Sequence, residues 1–188
     1  MGTGQVGEKI KQIREFQNVS LEELGARSGL SVELIKQIED AQAYPSLSPL
    51  IKIARALGVR LGTFLDDDVS SNCVLVKKDE HRKTVRFTSK ETKVGDLDFE
   101  PLGYNKRDRY MEPFLITADP EESKEPLISS HEGEEFLYVL EGELVVTYGK
   151  DTYILEPGDS IYYDSVVPHN VRAGARPAKF VAVVYTPL

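Results

Sequence analysis

The chain of 188 residues holds a single cysteine, Cys73, no tryptophan and only three histidines. One thiol excludes an intrachain disulfide framework, so the fold must be held by its core rather than by cross-links. No stretch approaches the ~18 consecutive apolar residues of a membrane span. The opening MGTGQVGEKIKQIREF lacks the apolar run of a signal peptide. These absences predict a soluble, cytoplasmic protein with no membrane partner. Global disorder is excluded too, because 40% of the residues are hydrophobic and 29% charged. Positive charge is scarce: 23 Lys and Arg face 31 Asp and Glu, a net charge of −8. Taken whole, that balance argues against nucleic acid as a partner.

The balance is not uniform. Residues 1–65 carry 8 Lys and Arg against 7 Asp and Glu, whereas residues 69–188 carry 15 against 21. Asp66, Asp67 and Asp68 add three more negative charges at the join. Hydrophobic periodicity changes at the same place. Up to Leu65 apolar residues recur every three or four positions (Ile10, Ile13, Phe16; Leu34, Ile35, Ile38; Leu50, Ile53, Leu57), which is helical spacing. Beyond Cys73 the runs are strand-like, as in Phe136 to Leu140 and Phe180 to Tyr185, and are bounded by Gly, Pro and Asp. The pattern predicts an all-α unit at 1–66, a linker at 67–73 and an all-β unit at 74–188. The acidity belongs to the second half and the join, so it no longer counts against DNA.

Boundary signals place five helices in the first half. The first is expected over 7–17. The second follows Ser20, where Ser20-Leu21-Glu22-Glu23 has the form of a capping box, and Gly29 stands at its C-cap. Ser31 caps a third, from Val32 to about Asp40. Pro45 with Ser46 and Ser48 introduces a fourth that runs to Leu57, Gly58 breaks it, and Arg60 to Leu65 make a final turn. Two short helices joined through Gly29-Leu30-Ser31 form a helix-turn-helix pattern with the third as reader.

The run from Leu21 to Ser31, with Ile35, Ile38-Glu39, Pro45-Ser46-Leu47 and Ile53 to Val59, resembles the lambda-repressor-like (XRE) DNA-binding domain over residues 7–66. The resemblance implies a five-helix domain that binds a double-stranded operator, an inverted repeat read by a homodimer. It implies that Arg14 and Glu39 form a structural ion pair between the first and third helices. It also directs Ser31, Val32, Glu33, Lys36 and Gln37 toward the bases, where Gln suits adenine, Glu cytosine and Val a thymine methyl. Lys9, Arg27 and Ser46 become candidate phosphate contacts. Ala41 departs from the family, which commonly has Gly after the third helix.

In the second half, strand runs with short turns suggest a small antiparallel barrel or jelly roll. The blocks His131 to Glu143 and Leu155 to Val171, with Gly142, Pro157-Gly158-Asp159 and Pro168-His169, resemble the paired motifs of the cupin family over about 75–188. Cupins typically hold a metal with His-x-His, a Glu and a distant His. The resemblance therefore implies ligands at His131, Glu135 and His169, with Ser129 at the position of the missing first His. Two imidazoles and one carboxylate suit one divalent metal: Fe(II), Zn, Mn or Ni. The same residues could instead bond to backbone and water in a metal-free pocket.

Geometry sets a condition on that site. Four residues of straight strand span roughly 13 Å, so His131 and Glu135 meet only if the chain folds back at Gly133. Glu135, Leu137 and Val139 then share one strand face, and Phe136, Tyr138 and Leu140 the other. Both are largely apolar, so one is expected to line a cavity and one to pack on another sheet. An effector pocket is expected around Ser129 and Leu137, with Arg107 or Arg109 from a basic-aromatic loop recognising a carboxylate. His81 lies in a charged run and is expected on a solvated face.

These readings converge on a bacterial transcriptional regulator, not an enzyme, whose cupin binds a small-molecule effector. The rival is enzymatic. The order of domains and the Ser-x-His-x-x-x-Glu-Phe-Leu pattern also resemble hydroxypropylphosphonate epoxidase, a mononuclear non-haem iron enzyme. In that reading Leu97, Phe99 and Ile128 occupy places where the epoxidase has substrate-gripping tyrosines and an asparagine.

Overall fold

The structure, a computed structural model, describes residues 3–42, 46–66, 71–80, 85–87, 97–106, 108–120 and 128–187. Pro45, His81, Arg107 and most of the expected linker lie outside them. The first half forms α1 (Thr3–Phe16), α2 (Leu21–Ser28), α3 (Val32–Glu39), α4 (Leu47–Ala56) and the short α5 (Gly62–Leu65). Val6, Ile10, Leu24, Ile35, Ile38, Leu50, Ile53 and Phe64 are buried together. Helix α1 starts earlier than position 7, and its stripe is set by Val6 and Ile10 rather than by Phe16, which is 88% exposed. At 100° per residue Phe16 has rotated well off the face that Ile10 occupies. A close approach explains the earlier start: a Cβ at Gly7 would sit 2.2 Å from the Ile38 carbonyl oxygen.

Ser20 caps α2, its hydroxyl accepting from the Glu23 amide, and Gly29 closes the helix with φ 70°. The capping box is half made, because the Glu23 carboxylate pairs with Arg27 one turn on. Ser31 caps α3 in the same way, accepting from the Leu34 amide. After α3 the chain turns at Ala41, which holds a left-handed φ of 55°.

The named strands of the second half all pair antiparallel. The strands are β1 (Val85–Phe87), β2 (Leu97–Pro101), β3 (Met111–Ala118), β4 (Glu134–Glu141), β5 (Leu144–Tyr148), β6 (Asp151–Leu155), β7 (Ser160–Asp164), β8 (His169–Ala173) and β9 (Ala178–Tyr185). They form a six-stranded sheet in the order β1-β2-β3-β9-β4-β7 and a three-stranded sheet in the order β6-β5-β8. Phe114, Ile116, Leu137, Val139, Phe180 and Ala182 from the first sheet share a core with Leu144, Val146 and Ala173 from the second. The outer face of β4 is not packed on a sheet as expected. Tyr138 and Leu140 are 40% and 41% exposed, because the smaller sheet covers only the inner face.

The two halves are docked. The Ser48 hydroxyl of α4 donates to the Ser130 carbonyl at 3.3 Å, and the Gly62 amide donates to Glu112 Oε1 at 3.1 Å. Arg55 pairs with Glu132, and Arg60 NH2 lies 3.3 Å from Asp108 Oδ1. Asp66, at the edge of the expected linker, accepts from the Asn105 amide at 3.1 Å and pairs with Arg109.

Candidate functional site

The chain folds back between His131 and Glu135 at Gly133. There φ is 107° and a Cβ would sit 1.9 Å from the Tyr185 carbonyl oxygen, so only glycine fits. The turn places His131 just ahead of β4 and Glu135 inside it. His169 opens β8, whose edge is joined to Ser129 by reciprocal backbone bonds of 2.7 and 2.9 Å. His131 Nε2 is then 2.8 Å, and His169 Nε2 3.5 Å, from Glu135 Oε1. All three side chains are buried, and one ligand atom from each lies within 4.8 Å of the others.

The surroundings orient the three. His131 Nδ1 donates to the Glu132 carbonyl at 3.0 Å, and His169 Nδ1 to that of Val167 at 2.8 Å. A carbonyl only accepts, so both Nδ1 atoms carry a proton and Nε2 is the ring atom each imidazole turns to the carboxylate. An imidazole nitrogen and a carboxylate oxygen tolerate 2.8 Å only with a proton or a cation between them. The Tyr163 hydroxyl donates to the second oxygen, Glu135 Oε2, at 2.6 Å and fixes the carboxylate plane. Burial pushes the Glu135 carboxyl up, but hydrogen bonds to His131 and His169, the charge of His131 and the bond from Tyr163 hold it well below the ordinary range. The Tyr163 hydroxyl is pushed up by burial and by the Glu135 charge, so it stays a donor. Two preset imidazoles, an ionised carboxylate and a locked second shell fit a divalent metal ion.

Beside this triad lies a cavity of about 300 Å³. Leu97, Phe99, Ile116, Ile128, Leu137, Phe180 and Val184 make its apolar wall, and Ser129 and Asn170 add polar groups. Its remaining wall belongs to the helical half: Ser46, Leu47, Ser48, Pro49 and Lys52. Ser129 and Leu137 are therefore at the cavity, where they were expected. Arg109 is not. It is 7% exposed beneath α5, with Nε 2.6 Å from Glu112 Oε2 and NH2 3.0 Å from Asp66 Oδ1. Asp66 and Glu112 hold it between the domains, which corrects the expectation that it reaches a ligand. Arg107 lies outside the described residues.

Helix α3 turns Ser31, Val32, Glu33 and Lys36 to solvent, with Gln37 half-buried and its amide donating to Glu33 at 3.3 Å. Beneath that face Arg14 grips Glu39 with two bonds of 2.7 Å and donates a third, of 3.0 Å, to the Val19 carbonyl. The candidate phosphate contacts are scattered. Arg27 is paired with Glu23, Lys9 donates to the Asp66 carbonyl, and Ser46 stands at the cavity. Sequence reasoning missed Tyr163, Lys52 and the Asp66-Arg109-Glu112 cluster. Tyr163 announces itself only through register, since β7 sets it directly opposite Glu135.

Residues 10–64 match the family model described as Helix-turn-helix, and residues 114–184 the one described as Cupin domain. The chain is a helix-turn-helix domain followed by a cupin. The HTH-type transcriptional regulator PuuR of Escherichia coli K12 is 25% identical over 87% of this chain and 85% of its own length. The (S)-2-hydroxypropylphosphonic acid epoxidase of Streptomyces wedmorensis is 28% identical over 94% of this chain and 93% of its own. The crystal structure of an HTH_3-family transcriptional regulator from Vibrio cholerae shares the fold with a TM-score of 0.73 and 24% identity, over 100% of this chain and 98% of that one. Helix-turn-helix followed by cupin matches the architecture of the DNA-binding regulator PuuR. No helix among the described residues is long and apolar enough to cross a membrane.

Proposed function

We propose that this protein is a cytoplasmic transcriptional regulator in which residues 1–66 bind operator DNA and residues 74–188 bind a small effector, with 67–73 joining them. The observation that carries the reading is the free face of α3. Docking onto the cupin uses α4, α5 and Asp66, and leaves Ser31, Val32, Glu33 and Lys36 open to solvent. Gln37 would pair with adenine once it releases Glu33, and Val32 would pack on a thymine methyl. The backbone amides at the starts of α2 and α3, with Arg27, would meet phosphates. A homodimer would present two such faces to an inverted repeat.

In the cupin, His131, Glu135 and His169 would hold one divalent ion. When bound, the ion supplies a Lewis-acidic centre with open positions for an effector's donor atom. Tyr163 keeps the Glu135 carboxylate in place, and the apolar wall takes the rest of the effector and excludes water. Binding then changes DNA affinity only as far as the effector prefers one arrangement of the domains over another.

Fluorescence anisotropy on the protein's own upstream DNA tests the reading. Salt-sensitive, sequence-selective binding is expected, and equal weak binding to every fragment would remove it. The epoxidase reading is favoured by the triad, which would suit iron and oxygen chemistry, and by the 28% identity over 94% of this chain. Against it, Leu97, Phe99 and Ile128 give the cavity beside the triad an apolar wall. Iron-loaded protein that consumes oxygen with a phosphonate substrate would reinstate it.

A further inference from the structure

The cavity wall supplied by the helical domain contains one charged residue, Lys52, from the middle of α4. Among the described residues Lys52 makes no ion pair. The acidic residue nearest to it in the neighbouring cleft, Glu132, is taken by Arg55. Among the described residues the one carboxylate lining the cavity is that of Glu135, already engaged by His131, His169 and Tyr163. A divalent ion at the triad would, with Lys52, leave the cavity with an excess of positive charge beside its apolar wall. Such a site penalises amines and attracts anions, and its volume of about 300 Å³ suits a small metabolite.

We propose that the cupin ligand is a small organic oxyanion, with a carboxylate or phosphonate head on a short apolar body, and that Lys52 of the DNA-binding domain is one of its anchors. This rests on the regulator reading for its consequence but not for its chemistry. The hydroxyls of Ser46 and Ser129 flank the head group, and Phe99, Leu137 and Phe180 meet the body. Because the anchor sits on α4, one ligand touches both domains of the same chain. Occupancy therefore favours the docked arrangement, and the docked arrangement favours occupancy by the same factor.

The test is calorimetric titration of metal-loaded, full-length protein with butanoate, butylphosphonate and butylamine. Either anion is expected to bind and butylamine not to, and the two anions separate the carboxylate source from the phosphonate source. Lys52→Gln is expected to weaken the anion about tenfold or more, the usual scale for losing a charge-assisted bond. Lys52→Arg is expected to retain most of the affinity, which distinguishes lost charge from a misfolded helix. Preference for the amine, no binding of any probe, or equal anion affinity in wild type and Lys52→Gln each overturns the proposal. Operator binding by ligand-free protein is measured separately. Its absence would remove the regulator reading and leave the calorimetric result standing.

Discussion

At the scale of single residues the site depends on atoms one step removed from any ligand. The Tyr163 ring lies against His169 and Tyr148, and its 2.6 Å hydroxyl bond fixes which carboxylate oxygen faces the imidazoles. Removing that hydroxyl with Tyr163→Phe is expected to lower metal affinity by roughly 10- to 100-fold without unfolding the barrel. Competition against a chelator measures it, and unchanged affinity would show the hydroxyl to be incidental. Ala41 is the opposite case, a residue retained at a cost. Its φ of 55° is a region that a Cβ disfavours, so Ala41→Gly is expected to raise the stability of the helical half by about 1 kcal/mol. Urea melts would register this as a higher midpoint. The absence of Gly at 41 was readable in the sequence as a departure, and the backbone shows what the departure costs. Arg14 and Glu39 were legible in the same way, because a positional resemblance points to a contact between two named side chains. Tyr163 was not legible, because its partner is set by strand register, which no local pattern encodes.

At the scale of elements, caps and breakers were the strongest signals. Ser20, Gly29 and Ser31 bound α2 and α3 where local chemistry places them. The start of α1 was less legible, because it is decided by tertiary contact. Gly7 lets the α1 backbone come against the last turn of α3. Gly7→Ala would force a Cβ to 2.2 Å from a carbonyl oxygen, so the helices must separate. Despite the better helix propensity of alanine, a loss of about 1–3 kcal/mol is expected by thermal or urea denaturation. A gain would mean that α1 is free to move. The outer face of β4 carries a similar lesson. Alternating apolar residues on both faces suggested two packed sides, but alternation reports side-chain direction and not what lies opposite.

At the scale of the whole molecule, the join proves to be a latch. Asp66 and Glu112 share Arg109, and Glu112 also accepts from the Gly62 amide of α5. Burial pushes the Glu112 carboxyl up from 4.5 to about 7, against the pull of Arg109 and with the Asp66 charge adding to the rise. The native state therefore keeps a proton that the unfolded chain has released between these values. Stability should fall as pH rises from about 4.5 to about 7, by an amount on the order of 3 kcal/mol, and this contribution should stay flat above that range. Glu112→Gln should flatten the slope while keeping an acceptor for Gly62. Melting temperatures across pH 5 to 8 would show this, and a slope that survives the substitution would assign it elsewhere. None of this was visible in composition. The same aspartates that read as a polar spacer include the one that ties the domains together, and Arg109, expected at a ligand, supplies the other half of the tie.

The proposal to be tested is that an acidic chain reads DNA bases through one face of α3. The most direct measurement is the salt dependence of binding to the protein's upstream region by wild type and by Gln37→Ala. The account predicts affinity that falls steeply with salt for wild type. It also predicts that Gln37→Ala costs about 1–3 kcal/mol on the operator and nothing on unrelated DNA. Equal affinity of the two proteins on every sequence would contradict it.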